Sequence, residues 1–472
     1  MQSCLKRILL LMLIIQFFGC SEREWLNPFD PDVLSSDWAP TDLTVSVNAN
    51  SVFLEWKNNA VIDVHYKIQR RINDGIDEFS VIDSVENIGY VDIPPINTAG
   101  YSYQIRAYID DKMSGPGNTV TVDFIPAGTE IWTNQLTAGV NAAALSIDRR
   151  YLVIVEEHTV ITAGNYSTKI HLVDTQSGDI IWTVTDEGYS SAAIDISPDN
   201  TKLALAHFSG MVKVRDLVNG ALLWESVHSD DKQCRQILFS PDNSITFSGG
   251  ADSTVKAWNT ANGQLLWEKT HEQSISALDI SRDNSILIAG DYASRVTAYA
   301  PSSGALLWSA SVSNGVKDLQ ISPNGLKIAV GVISGDLFLL NAGDGSESWS
   351  ASFSGGMTFD LEFDHDGTNL LSGANYHVKM WQVENGQFVW EMPFSSFVHH
   401  VELSPDNSHA MTVGQLAEVN ILDIDTGQRT LEIPCENWVF FGGFSENSQA
   451  VVFVDGQQIR CNWAVNSWEV NQ

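Results

Sequence analysis

The side chains that could do chemistry in this sequence are few and scattered. Asp364-His365-Asp366-Gly367 has the acid spacing of a calcium loop, and His399-His400 has the form of a metal pair. The first lacks a twelve-residue ligand series ending in Glu and falls at the turn position of an internal repeat, so it reads as a hairpin turn. The second lies inside FVHHVEL, an apolar strand pattern in which neighbouring side chains point to opposite faces, so at most one imidazole serves any one site. The cysteines, Cys4, Cys20, Cys234, Cys435 and Cys461, show no CxxC or Cys/His spacing and mark no metal cluster. Isolated buried thiols account for the last three, with a Cys435 to Cys461 bridge left open. No GxSxG, HExxH, P-loop or GxGxxG stands in the context that each requires. No catalytic residue, metal site or cofactor is therefore assigned.

Any site must be positioned by strands, because the strongest regularity of the chain is a strand repeat. Gly followed four residues later by Trp recurs at Gly128/Trp132, Gly178/Trp182, Gly220/Trp224, Gly263/Trp267, Gly304/Trp308, Gly345/Trp349 and Gly386/Trp390, then weakly at Gly427/Leu431. In phase with it run SPDN at Ser197, Ser240 and Ser404, SRDN at Ser281 and SPNG at Ser322, with divergent copies at Ser146, Asp364 and Ser445. Apolar alternation leads into each SPDN turn, two further strands follow, and NG or SG opens the last. Four strands in about 42 residues make one propeller blade. A blade buries its faces only against neighbouring blades, so the array must close into a ring. The last unit aligns Trp463 with Trp258 and Trp381 but has Trp468 where those units have Gly263 and Gly386. It stops before a final strand, which Thr129 to Leu136 must supply. The fold class expected is all-β: a small β-sandwich followed by a β-propeller of eight blades, with seven as the alternative.

The SPDN turn with Asp252-Ser253-Thr254-Val255-Lys256-Ala257-Trp258 resembles the WD repeat, and SGxxxW resembles the repeats of quinoprotein-type propellers. The resemblance spans residues 128–472 and implies a propeller. It matches Asp252 and Trp258 to the Asp and Trp of the WD structural hydrogen-bond set, and His271 loosely to its His. Quinoprotein dehydrogenases carry vicinal cysteines, a calcium cluster and a channel base, none of which is marked here, so the resemblance transfers packing and not redox chemistry. The repeated Trp side chains sit on the outermost strand of each blade and read as inter-blade packing rather than a sugar-stacking ladder.

Ahead of the repeat, residues 38–126 show period-two runs, LTVSV at 43, SVFLEW at 51, VHYKIQRR at 64, FSVIDSV at 79, YSYQIRAYI at 101 and TVTVDF at 119. This is the pattern of an antiparallel sandwich. Trp56 closing the second run and Tyr101 six residues before Ala107 resemble a fibronectin type III domain, which implies a spacer or a protein-binding module. Nearer the start, Lys6 and Arg7 precede an apolar run, Ile8 to Phe18, that would rise about 16 Å as a helix and is too short to span a bilayer. Residues 1–19 read as a secretory signal. Phe17-Phe18-Gly19-Cys20 resembles a bacterial lipobox, which implies a diacylated Cys20, a tether over residues 20–37, and the cell envelope as address, at the outer membrane or cell surface.

Composition narrows the partner. With 58 acidic against 26 basic side chains the net charge is -32, which repels phosphate backbones, so nucleic acid is excluded as an expected partner. Recognition is expected at the end of the ring where the fourth strand connects to the next blade and the second connects to the third. The sequence places Tyr189, His228, His271, Tyr292, Tyr376, Phe397, His399 and Trp438 there, groups of the kind enriched at binding surfaces. In the first blade the same connection is about eight residues longer, near His158 to Thr168. The leading reading is a non-enzymatic, lipid-anchored binder of an envelope protein or glycan. The competing one is a propeller enzyme, such as a lyase, lactonase or cofactor-dependent oxidoreductase, working inside the channel.

Overall fold

The computed structural model describes residues 34, 36–48, 51–60, 63–74, 76–95, 100–157, 159–162, 165–187, 190–352, 356–415, 417–465 and 467–471. The signal segment, Cys20, most of the tether, and Tyr189 lie outside them. All regular elements among the described residues are strands. They fall into two compact units, one reaching Pro126 and including the last strand of the chain, the other Ala127–Val465.

In the first unit the runs read from the sequence become β1 (Thr41–Asn48), β2 (Ser51–Lys57), β3 (His65–Ile72), β4 (Ser80–Val85), β6 (Tyr101–Ile109) and β8 (Val120–Ile125), joined by the short β5 (Gly89–Asp92) and β7 (Lys112–Met113). One sheet is β1-β2-β5, and the other is β4-β3-β6-β8 extended by Ser467–Asn471, with β7 on β6. Trp56 packs edge-on to Tyr66 at 5.3 Å in the buried core, and the Tyr101 hydroxyl donates to the Pro95 carbonyl at 3.0 Å. The repeat therefore does not run to residue 472. The chain leaves the ring at 465, and its last strand pairs antiparallel with β8, where it completes a sandwich edge that would otherwise stay open.

The second unit is a propeller of eight sheets. Its innermost strands are Val140–Leu145, Ser191–Ile196, Cys234–Phe239, Ile275–Ile280, Val316–Ile321, Thr358–Phe363, Val398–Leu403 and Val439–Phe444, which number the blades 1 to 8. The fourth strand of blade 8 is β9 (Glu130–Gln135), from the start of the unit, paired through Trp132↔Cys461. The longer connection of blade 1 is a hairpin in which Thr159–Thr162 pairs with Asn165–Asp174.

The two sequence markers have separate physical roles. In the SPDN turn at Ser240, the Ser Oγ donates to Asp242 at 2.6 Å and accepts the Ile245 amide at 2.9 Å, while Asn243 takes a left-handed φ of 59°. That left-handed step is one Asn tolerates because of its short polar side chain. The Gly–Trp marker is a clasp between blades. Trp224 Nε1 donates to the Thr260 carbonyl of blade 3 at 2.7 Å, and a Cβ on Gly263, where φ is 71°, would stand 2.6 Å from the Trp224 ring. Trp132, Trp182, Trp267, Trp308, Trp349 and Trp390 repeat the bond at 2.6 to 3.0 Å. At the remaining junction Leu431 packs on Gly128 instead. Every outermost strand also carries a bulge just before its Trp position, as between Leu222 and Trp224, which blunts the eight exposed edges against pairing with other chains.

Candidate functional site

Antiparallel order puts the SPDN turns at one end of the ring and the loops entering each innermost strand at the other, together with the turns between second and third strands. The two ends and the channel between them differ in chemistry.

At the loop end the expected residues divide. His228 is buried, 2% exposed, and bonds Ser248 at 2.8 Å and Asp252 at 3.1 Å, while Trp258 donates to the same Ser248 at 2.7 Å. His228, not His271, therefore completes the hydrogen-bond set with Asp252 and Trp258. His271 does the same work one blade on, bonded to Asp291 at 3.1 Å and to the Tyr299 hydroxyl at 3.0 Å. Neither imidazole is open to a partner, which corrects their expected binding role: each is spent tying a loop to the sheet beneath it.

The other described ones stay accessible. Tyr376 stacks tilted on Phe397 at 5.4 Å, Phe397 lies 6.2 Å from His399, and Phe359 meets His399 edge-on at 4.9 Å. Lys317 lies 5.7 Å over the Phe359 ring, and burial together with that charge pushes the His399 imidazole below its ordinary value. Trp438 and Phe440, 55% and 53% exposed, line a neighbouring hollow with Gln415, Ala417 and Asn437. Tyr292 stands apart on blade 4, 39% exposed. Phe359, Phe440 and Lys317 were not among the expected residues. They share one register position on the innermost strands, Lys317, Phe359, His399 and Phe440, at which a bulge turns one extra side chain toward the channel mouth. The same bulge breaks the alternation expected in FVHHVEL, so His399 and His400 are both half-buried and both reach blade 6.

The channel is polar, with a cavity of about 850 Å³ toward the SPDN end. Each innermost strand presents an unpaired edge, and in blades 3 to 8 side chains of the preceding blade bond to it. Asp195 accepts the Phe239 amide at 2.7 Å, Asp279 the Ile321 amide at 2.6 Å, Asp318 the Leu361 amide at 2.9 Å and Glu362 the Leu403 amide at 2.6 Å. Burial pushes Asp195 up to about 7 and Asp279 up to about 6. Asp318 and Glu362 rise well above the usual carboxylate range, first through burial and then through the charges of Asp360 and Glu402. His400 Nδ1 bonds Asp360 at 2.7 Å and Nε2 bonds the Gly442 carbonyl at 3.1 Å. Burial opposes its charge, but Asp360 and Glu402 outweigh it and hold the imidazole well above its ordinary value, as a cation donating from both nitrogens.

The remaining candidates are structural. Asp364 accepts the Thr368 amide at 2.7 Å within the turn that opens the second strand of blade 6. Cys234, Cys435 and Cys461 are free thiols, so the bridge left open does not form, and burial pushes Cys435 and Cys461 up to about 12.

Profiles of two families match parts of the sequence. The EMC1 N-terminal β-propeller domain matches over residues 214–354, and the outer membrane protein assembly factor BamB over residues 114–244. Each covers less than half of the chain. A search of curated proteins returns no match. Among solved structures, the computationally designed protein Ika8 superposes with a TM-score of 0.61 at 18% identity, over 72% of this chain and 100% of its own. Sqt1 of Chaetomium thermophilum, bound to the N-terminus of ribosomal protein L10, gives 0.64 at 16% identity over 71% and 99%. Saccharomyces cerevisiae Sqt1 gives 0.62 at 14% identity, also over 71% and 99%. The chain carries a β-propeller. At these identities the likeness establishes the propeller fold and assigns no partner.

Proposed function

We propose that this chain is a lipid-anchored envelope protein whose propeller binds a protein partner through its loop end, with a fibronectin type III-like sandwich as spacer. The observation that carries the reading is the contrast between the two polar and aromatic sets. Among the described channel residues, His400 has both ring nitrogens committed, to Asp360 and to the Gly442 carbonyl, and the buried carboxylates Asp195, Asp279, Asp318 and Glu362 are engaged in capping backbone amides of the next blade, so the channel groups serve the ring before they serve a substrate. At the loop end the aromatic group of Tyr376, Phe397 and Phe359 and the pair Trp438 and Phe440 stay accessible on a rigid scaffold. The names of the matching proteins support the same reading: BamB is an assembly factor for outer membrane proteins, and Sqt1 is seen with a ribosomal protein terminus.

Alanine at Tyr376, Phe397 and Trp438 together should cut recovery of cross-linked envelope proteins at least about tenfold, at about 2 kcal/mol or more per buried anchor, with an unchanged melting temperature. Trp224→Ala should instead melt earlier, by about 3 kcal/mol or more of lost clasp packing. If recovery simply follows melting temperature across both variants, the loop end is not the binding face. The anchor has its own test: a Cys20→Ser chain should leave the membrane fraction, and one that stays there removes the lipid from the proposal.

A further inference from the structure

The loop end carries an aromatic arc and an acidic arc, with Glu436 also exposed in the hollow at Trp438 and Phe440. From blade 4 to blade 8 it carries Tyr292, Tyr376, Trp438 and Phe440, each 39 to 55% exposed. From blade 1 to the entry of blade 3 it carries Glu157, Glu187, Asp230 and Asp231, all exposed. The bases near this acidic arc are already engaged: Lys169 donates to Thr137 at 3.1 Å, Lys232 lies 3.8 Å from Asp231, and Arg235 donates to Gln233 at 3.3 Å. Glu157, Glu187 and Asp230 form no ion pair among the described residues. Blade 8 adjoins blade 1 in the ring, so the two arcs meet.

We infer that the partner of this face presents a cationic segment bearing apolar anchors, with its Lys or Arg side chains over the acidic arc and an aromatic or aliphatic side chain in the hollow at Trp438 and Phe440. The inference rests on the loop-end reading and specifies the chemistry of its occupant. Charge complementarity selects this occupant: an acidic segment would meet unpaired carboxylates within a chain of net charge -32, and like charges brought together across an interface are costly. A cationic one is steered inward by the same field, and a guanidinium can both pair with carboxylate and lie on an aromatic face.

A random dodecapeptide library displayed on phage and panned against the full chain tests this. Enriched peptides should carry net positive charge with at least one Trp, Phe or Leu. A synthetic copy of the strongest should bind about tenfold more weakly to the E187K/D230K/D231K chain and to the W438A/F440A chain, and should weaken as salt rises from about 50 to about 300 mM. Neutral or acidic peptides, an affinity indifferent to the charge reversal, or no enrichment over a bare surface would each overturn the cationic assignment. Charge reversal without effect beside W438A/F440A with full effect leaves the loop-end reading standing and removes only the cationic class. Indifference to both variants removes the two together.

Discussion

Replacing Arg149 with methionine should destabilise the propeller by about 3 kcal/mol, because it strips the partner from a carboxylate that the ring holds out of water. Inner strands are stapled by side chains from blade 2 through to blade 7, and His400 extends the series to blade 8. There the series runs out of polar groups. Blade 8 offers Phe441 and Gly443 at the stapling positions, and blade 1 offers Ala142 and Ala144. Arg149, from the first turn of blade 1, spans this gap: its guanidinium pairs with Glu402 of blade 7 and donates to the Phe444 carbonyl of blade 8 at 3.1 Å. Its side chain is 19% exposed and that of Glu402 11%, so the pair is largely shielded from solvent. In Arg149→Met, Glu402 would keep only His400, 3.9 Å away and already committed to Asp360. The melting temperature should fall by about 5 °C or more. Adding Glu402→Gln should recover part of the loss, since the unpaired charge is gone, and a double-mutant cycle should show coupling above about 1 kcal/mol. A single variant melting within about 1 °C of the parent would show that the seam is held by other contacts.

That staple was hidden from sequence reading for a reason that also explains the other misses. SPDN and the Gly–Trp pair are local: a Ser, an Asp and a left-handed Asn make a turn by themselves, and a glycine four residues before a Trp recurs visibly at seven of the eight blades. The ring closure followed from counting strands. The staples act between blades about 42 residues apart, and in VKDLQI or TFDLEF the capping acid looks like any polar residue of a half-buried strand. The bulge beneath them, which adds one side chain to the channel face, leaves no residue-type signature. His228 went unmatched to Asp252 because a repeat read from Trp to Trp straddles two sheets, placing each blade's His in the preceding unit. The last strand could not be assigned either, because Ser467–Asn471 pairs with β8 across the whole propeller in sequence and has no repeat partner to reveal it.

Exchanging residues 129–136 for a glycine–serine stretch of equal length should open the ring while leaving every connection intact. The exchange removes the fourth strand of blade 8, exposing Gln458–Trp463 as an unpaired edge, and takes away the Trp132 clasp on Thr175 and Gly178. Edges of that kind are templates for aggregation, and each blade of a propeller buries its faces only against its neighbours, so the loss reaches the blade 8 to blade 1 junction where Leu136 packs with Val140, Leu152 and Val454. The altered chain should lose cooperative unfolding and aggregate on mild heating. A synthetic peptide of residues 127–137 should restore both, and the same peptide with Trp132→Ala should restore little, since the clasp is what joins the added strand to blade 1. The control is the same exchange at 467–471, which should loosen the sandwich by freeing the β8 edge and leave propeller melting where it was. Rescue by the alanine peptide as good as by the native one would reduce the Trp132 clasp to incidental packing. A ring that opens only with the 467–471 exchange would mean that closure comes from the end of the chain and not from its N-terminal strand.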